Sequence, residues 1–160
     1  EILEELYSGI IYAFTRGSIT EKTDDGMNVS LCCIDKKNKT IRVAATNQTL
    51  VLFSDDQKHT IDGTRYFMGN TANKKFAFSF TDYEIKYKET ASVYLFSDGF
   101  QDQFGGENNR KFLFVNFENL LTNIHTLPMP EQEEALKTTF NNWKQIGRQI
   151  DDVTVIGLRL

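Results

Sequence analysis

The 160-residue sequence predicts an α+β domain in which antiparallel sheets are flanked by helices. Three observations carry this. Through the first half, apolar residues alternate with polar ones at a period of two, and the turn signals between these runs are too close for helical crossovers. Amphipathic helical patterns stand near both ends. The run 153–158 is apolar on both faces and asks for cover on each, which two sheets stacked face to face with helices outside would provide.

In order, Leu3, Leu6, Ile10 and Ala13/Phe14 recur at helical spacing, with Glu4 and Glu5 in the early turns, and predict a first helix over about 2–14. Met27, Val29, Leu31 and Cys33 alternate in a first strand. Asp35–Lys39 is a hairpin turn, after which Ile41, Val43 and Ala45 alternate again. Asn47-Gln48 reads as a further hairpin turn into Leu50–Phe53, and 54–73 as a short strand with irregular loop. Phe76, Phe78 and Phe80 predict another strand, continuing through Tyr83, Ile85 and Tyr87.

Val93-Tyr94-Leu95-Phe96 is a buried-strand pattern that stops at Ser97-Asp98-Gly99. Residues 101–110, with Gly105-Gly106 and Asn108-Asn109, have a loop's composition. Phe117, Leu120, Leu121 and Ile124 mark a short helix ending before Pro128. A second helix opens at Pro130 with Glu131, Glu133 and Glu134, carries Leu136, Phe140, Trp143 and Ile146 as its stripe, and stops at Gly147. The strand introduced by Asp151-Asp152 follows. Length and pattern suit one domain over 1–160.

Eighteen Lys and Arg against 22 Asp and Glu give a net charge of -4. That balance argues against a nucleic-acid surface and against an anionic membrane. No apolar run reaches the ~20 residues of a membrane span, so no direct insertion is expected. The adjacent Cys32 and Cys33 would point to opposite faces of a strand as core filling, which excludes a disulfide framework and suits a reducing cytoplasm.

The chemistry must come from carboxylates. His59 and His125 stand in no ligand or triad pattern and read as surface or loop residues, and phosphate-loop and dinucleotide glycine patterns are lacking. Asp98, Asp102, Asp151 and Asp152 are candidates to hold Mn²⁺ or Mg²⁺ through oxygen. Asp in such places also serves as a turn or cap residue. Position sets these acids apart: they end two apolar strands, and Gly99 lets backbone approach closely beside one of them.

Asp25-Gly26-Met27-Asn28-Val29-Ser30-Leu31-Cys32, Ala44-Ala45-Thr46-Asn47, Tyr94-Leu95-Phe96-Ser97-Asp98-Gly99 and Asp151-Asp152-Val153-Thr154 come in the order and spacing of the stage II sporulation protein E-like phosphatases. These are a bacterial branch of the metal-dependent (PPM, type 2C) serine/threonine phosphatases. Gln103-Phe104-Gly105-Gly106 and the helix with Trp143 resemble members that serve as C-terminal output domains of sensors. The resemblance implies an αββα sandwich, and hydrolysis of phosphoserine or phosphothreonine on a regulatory protein of bacterial signalling. It implies a water activated between two Mn²⁺ or Mg²⁺ ions, and a cytoplasmic location, including beneath a membrane-bound sensor.

By the same resemblance Asp98 and Asp151 are metal ligands, with Asp152 and Gly99 in supporting positions and Asp102 matching an additional metal position. The chain departs from the family pattern in three places. It has no Gly-His-Gly, the segment that carries the bridging acid; Asn28 stands for an Asp; and Thr90-Ala91 stands for Gly-Asp. The sequence is therefore expected to be an N-terminally incomplete domain, inactive alone and binding metal weakly. Open sheet edges would then favour a homodimer or an exchange of elements. The alternative is a catalytically dead relative that acts as a protein-interaction module.

Overall fold

The structure, a computed structural model, describes residues 1–15, 26–66, 68 and 80–160. In chain order its elements are α1 (Ile2–Thr15), β1 (Ser30–Asp35), β2 (Thr40–Ala45), β3 (Thr49–Ser54), β4 (Gln57–Asp62), β5 (Asp82–Lys86) and β6 (Ala91–Phe96). Then follow α2 (Gly99–Asp102), β7 (Phe104–Gly105), β8 (Arg110–Lys111), α3 (Phe114–Ile124), α4 (Met129–Lys144) and β9 (Val155–Arg159). They fall into two compact units, 1–50 with 61–87, and 51–60 with 88–160.

In the first unit β1, β2 and β5 form an antiparallel sheet in the order β1-β2-β5. The predicted turn at Asp35–Lys39 is present. The Asp35 carboxylate accepts the Asn38 backbone N–H at 2.9 Å and its amide at 2.7 Å, which holds it below the usual carboxylate range. On β2 the alternating Ile41 and Val43 are fully buried, and Arg42 pairs with Asp82 of β5.

The helix α1 buries Leu3 and packs Tyr7 and Ile10 around Ala44 and Met68. Its stripe therefore runs 3, 7, 10, and Leu6, expected inside, is 40% exposed. The first strand begins at Ser30, since Met27 makes only an isolated bridge with Met68. Cys33 is exposed and Cys32 half-buried, which corrects the core-filling expectation; burial pushes the Cys32 thiol upward. The strand expected at Phe76 and Phe78 lies outside the described residues.

The turn at Asn47 does not make a hairpin of its flanking strands. β2 pairs with β1 and β5, whereas β3 neighbours β4 and β6 in the sheet β4-β3-β6-β9. On this second sheet β3 and β6 are buried along most of their length, and Val51, Phe53 and Tyr94 meet Phe117, Leu121 and Ile124 of α3. Most of the chain's many phenylalanines converge here. Phe117 lies 4.8 Å from Phe96 and 4.7 Å from Phe100, and Phe100 lies 5.1 Å from Phe140, ring centre to ring centre. The Tyr94 hydroxyl, buried beneath α4, donates to Gln132 Oε1 at 2.6 Å, and Gln132 Nε2 donates to the Leu127 carbonyl at 2.7 Å.

Three expectations for this unit need correction. The loop expected after Gly99 contains the short helix α2 and the paired β7 and β8. Ile146 is not part of the α4 stripe: the helix ends at Lys144, Gln145 turns the chain with φ 52, and Ile146 is fully exposed. Among the described residues β9 is an edge strand paired to β6, so Ile156 and Leu158 remain 49% and 38% exposed, where a central strand was expected. His125 lies in the turn that follows α3, half-buried, with its ring stacked 4.0 Å from Phe53. No helix among the described residues is long and apolar enough to cross a membrane.

The β3–β4 turn ties into this unit through one carboxylate. Asp55 and Asp56 both have positive φ (47 and 65), as the tight hairpin turn requires. The Asp55 carboxylate accepts backbone N–H groups of Lys88 at 2.7 Å, Glu89 at 2.8 Å and Thr90 at 3.2 Å, and these depress its pKa. A depressed carboxylate stabilises the fold above the unfolded aspartate value of about 3.9 and loses that contribution as pH falls through the folded value. Asp55→Asn is therefore expected to lower stability at neutral pH and to flatten its acid limb. Thermal unfolding from pH 7 to pH ~2 measures it; a limb as steep as that of the unaltered chain refutes it.

Candidate metal centre

The site is built by antiparallel register. β6 runs into Ser97-Asp98, and β9 runs out of Asp151-Asp152 on the neighbouring strand, with Phe96 opposite Val155. An antiparallel pair brings the end of one strand beside the start of the other, so both acidic segments reach the same end of the sheet.

Ser97 then clamps them. Its backbone N–H donates to the Thr154 carbonyl at 3.0 Å, its hydroxyl donates to the Asp152 carbonyl at 2.9 Å, and the same oxygen accepts the Thr154 N–H at 3.0 Å. Gly99 completes the approach. A Cβ there would lie 2.3 Å from the Asp152 carbonyl oxygen and 2.9 Å from its carbon. The glycine is needed for space, and it sets the start of α2 against the Asp152 main chain.

The acids differ in how they are engaged. Asp98 precedes α2 at the N-cap position with φ -73 and ψ -13, and its exposed side chain makes no capping bond. The cap explanation for this aspartate therefore does not hold. Asp151 is exposed, with Oδ1 accepting the Asp152 N–H at 2.7 Å. Asp152 is exposed and gives its carbonyl to Ser97. Asp102 lies one helical turn beyond Asp98, and its carboxylate pairs with Lys111 Nζ at 2.9 Å.

Asp98, Gly99, Asp151 and Asp152 are thus gathered, and Asp102 is held aside by a lysine. Among the described residues no group of three or more His, Cys, Asp or Glu side chains is arranged to hold a metal ion. The donors present are exposed carboxylate oxygens, the ligand type that a hard divalent ion takes. Sequence reasoning gave Ser97, Lys111 and the buried Gln103 no role at the site. Ser97 and Gln103 stood within segments that carry the resemblance, which was a usable signal; nothing in the pattern marked Lys111. Asp25 of the Asp-Gly-Met segment lies outside the described residues.

Residues 1–160 match the family model described as stage II sporulation protein E (SpoIIE). Among solved structures, the SiaA-PP2C domain of Pseudomonas aeruginosa is similar with a TM-score of 0.74 at 22% identity, over 99% of this chain and 68% of that one. The manganese-presoaked phosphatase domain of SpoIIE from Bacillus subtilis gives 0.61 at 15% identity, over 99% and 73%. RsbX in complex with magnesium gives 0.56 at 11% identity, over 98% and 74%. At these identities the likeness establishes the fold, a mixed helix and antiparallel-sheet phosphatase fold of the kind the sequence predicted. Among curated proteins, none matches.

Proposed function

Because this chain belongs to the SpoIIE family of PP2C-type phosphatase domains, we propose that it carries one half of a metal-dependent centre for hydrolysing phosphoserine or phosphothreonine on a regulatory protein. The observation that supports this most directly is the Ser97 clamp, which gathers the acids of two strand ends. Asp98 and Asp151 would hold Mn²⁺ or Mg²⁺, with Asp152 beside them. When bound, the ion acidifies a water and neutralises charge on a phosphoryl group.

The chain's own residues do the positioning. Ser97 fixes the separation of the two acidic segments, Gly99 keeps the backbone close, and the Lys111 pair keeps Asp102 in reserve. A second reading, a protein-interaction module without chemistry, is favoured by the absence of a three-acid group among the described residues.

Calorimetric titration with Mn²⁺ tests the proposal. The 160-residue chain is expected to bind, and Asp98→Asn and Asp151→Asn each to weaken binding at least ~10-fold, about 1.4 kcal/mol. A chain that binds no Mn²⁺, or binds it regardless of both substitutions, sinks the metal reading and leaves the interaction module.

A further inference from the structure

We propose that Gln103 is the positioning residue for the acidic pair: it holds the loop leading into Asp151 against the end of the helix that begins after Asp98. The inference rests on the metal-centre reading above and deepens it.

Gln103 follows α2 directly and is 1% exposed. Burying a primary amide is unfavourable unless both its ends are satisfied, so a glutamine at such a place needs a reason that a leucine would not. Its bonds supply one. Nε2 donates to the Arg148 carbonyl at 3.1 Å and to the Phe104 carbonyl at 2.9 Å, while Oε1 accepts the Ile150 N–H at 3.4 Å. Its backbone carbonyl accepts Trp143 Nε1–H at 3.0 Å and the Phe112 N–H at 3.0 Å, which fixes the residue itself to α4 and to the chain after β8.

The segment 148–150 has little else to hold it. Arg148, Gln149 and Ile150 are exposed, and the bond from Gln149 Nε2 to the Asp151 carbonyl at 2.8 Å is internal to the loop. Among the described residues, then, Gln103 grips the chain on the near side of Asp151, at 148 and 150. Ser97 grips it on the far side, at 152 and 154. Both grips come from the segment that presents Asp98. Asp151 is suspended between them.

Partners of this kind, which touch a ligand's backbone and not the ion, typically change metal affinity by about 10–100-fold when removed. The test uses the 160-residue chain with Mn²⁺ as probe. Gln103→Met keeps the buried volume and removes the three side-chain bonds; Gln103→Asn keeps an amide that falls short of the loop and serves if the first does not fold. Gln132→Met, which removes an equally buried glutamine that does not touch the acidic loop, is the control for lost stability alone.

Both Gln103 variants are expected to weaken Mn²⁺ binding roughly 10-fold or more and to speed amide exchange at Ile150 and Asp152. Gln132→Met should lower the melting temperature and leave both readouts unchanged. If Mn²⁺ affinity is indifferent to Gln103, or Gln132→Met weakens it as much, the proposal is overturned while the metal reading stands. If the unaltered chain takes up no Mn²⁺, the metal reading falls and carries this proposal with it.

Discussion

Gly99→Ala is expected to abolish Mn²⁺ binding and to lower the stability of the second unit by about 1–3 kcal/mol, the usual cost of forcing an extra carbon into a packed site. The added Cβ would meet the Asp152 carbonyl oxygen at 2.3 Å, its carbon at 2.9 Å and Val153 Cγ2 at 3.3 Å. The first two are main-chain atoms held by the Ser97 hydroxyl, so they cannot swing aside as a side chain would. Relief requires α2 and the Asp151-Asp152 segment to part, which separates the acids.

Alanine's better helix propensity, at most about 1 kcal/mol in a helix interior and less in a first turn, does not offset this. Thermal unfolding with Mn²⁺ calorimetry on the same sample decides the matter. A Gly99→Ala chain with an unchanged melting temperature and unchanged binding would show that the approach at Gly99 is not what joins the two acids.

Phe117→Ala has the largest expected effect on stability, about 3–5 kcal/mol. The ring is fully buried and stands between Phe96 of the sheet and Phe100 of α2, with centroids 4.8 Å and 4.7 Å away. Its removal leaves a cavity bounded by stiff rings that cannot collapse into it. Against a total stability of ~5–15 kcal/mol, that loss removes from about a fifth to nearly all of the margin. Phe104→Ala, at a ring 39% exposed, is the matched comparison and should cost under about 1.5 kcal/mol. Urea midpoints measure both, and equal shifts for the two would refute the aromatic-core account.

What the sequence conveyed well was local. The alternation of Ile41, Val43 and Ala45, the turn at Asp35–Lys39 and the helical stripes of α3 and α4 are each set by neighbours a few residues apart. The acids at two strand ends were legible for the same reason. That they share one site was inferred from this pattern and from the resemblance; the pairing of β6 with β9 that sets the two strand ends side by side is encoded in no local pattern.

The errors have physical causes. Val153–Leu158 looked central because its residues are apolar, but composition does not say which side of a sheet has a neighbour. Gly105-Gly106 looked like loop filler, whereas a Cβ at Gly105 would sit 1.9 Å from the Trp143 carbonyl oxygen, so the glycine is there for α4. The stripe through Ile146 extended a helical period past the residue where the backbone turns over. Gln103 was visible only as part of the Gln103-Phe104-Gly105-Gly106 segment; its burial and its partners are what give it a role.

The Ser97–Asp152 contact spans 55 residues of chain. Closing so long a loop costs entropy before the contact returns anything, so the two acidic ends meet late in folding. During synthesis the acid pair has no existence until Asp152 has been made and β9 has found β6, well after α3 and α4 have had their chance to form. A metal ion in the surrounding solution therefore meets no nucleus to seize early in the process. An ion taken up by the proposed centre would bind what folding has finished and stabilise the product without guiding the route.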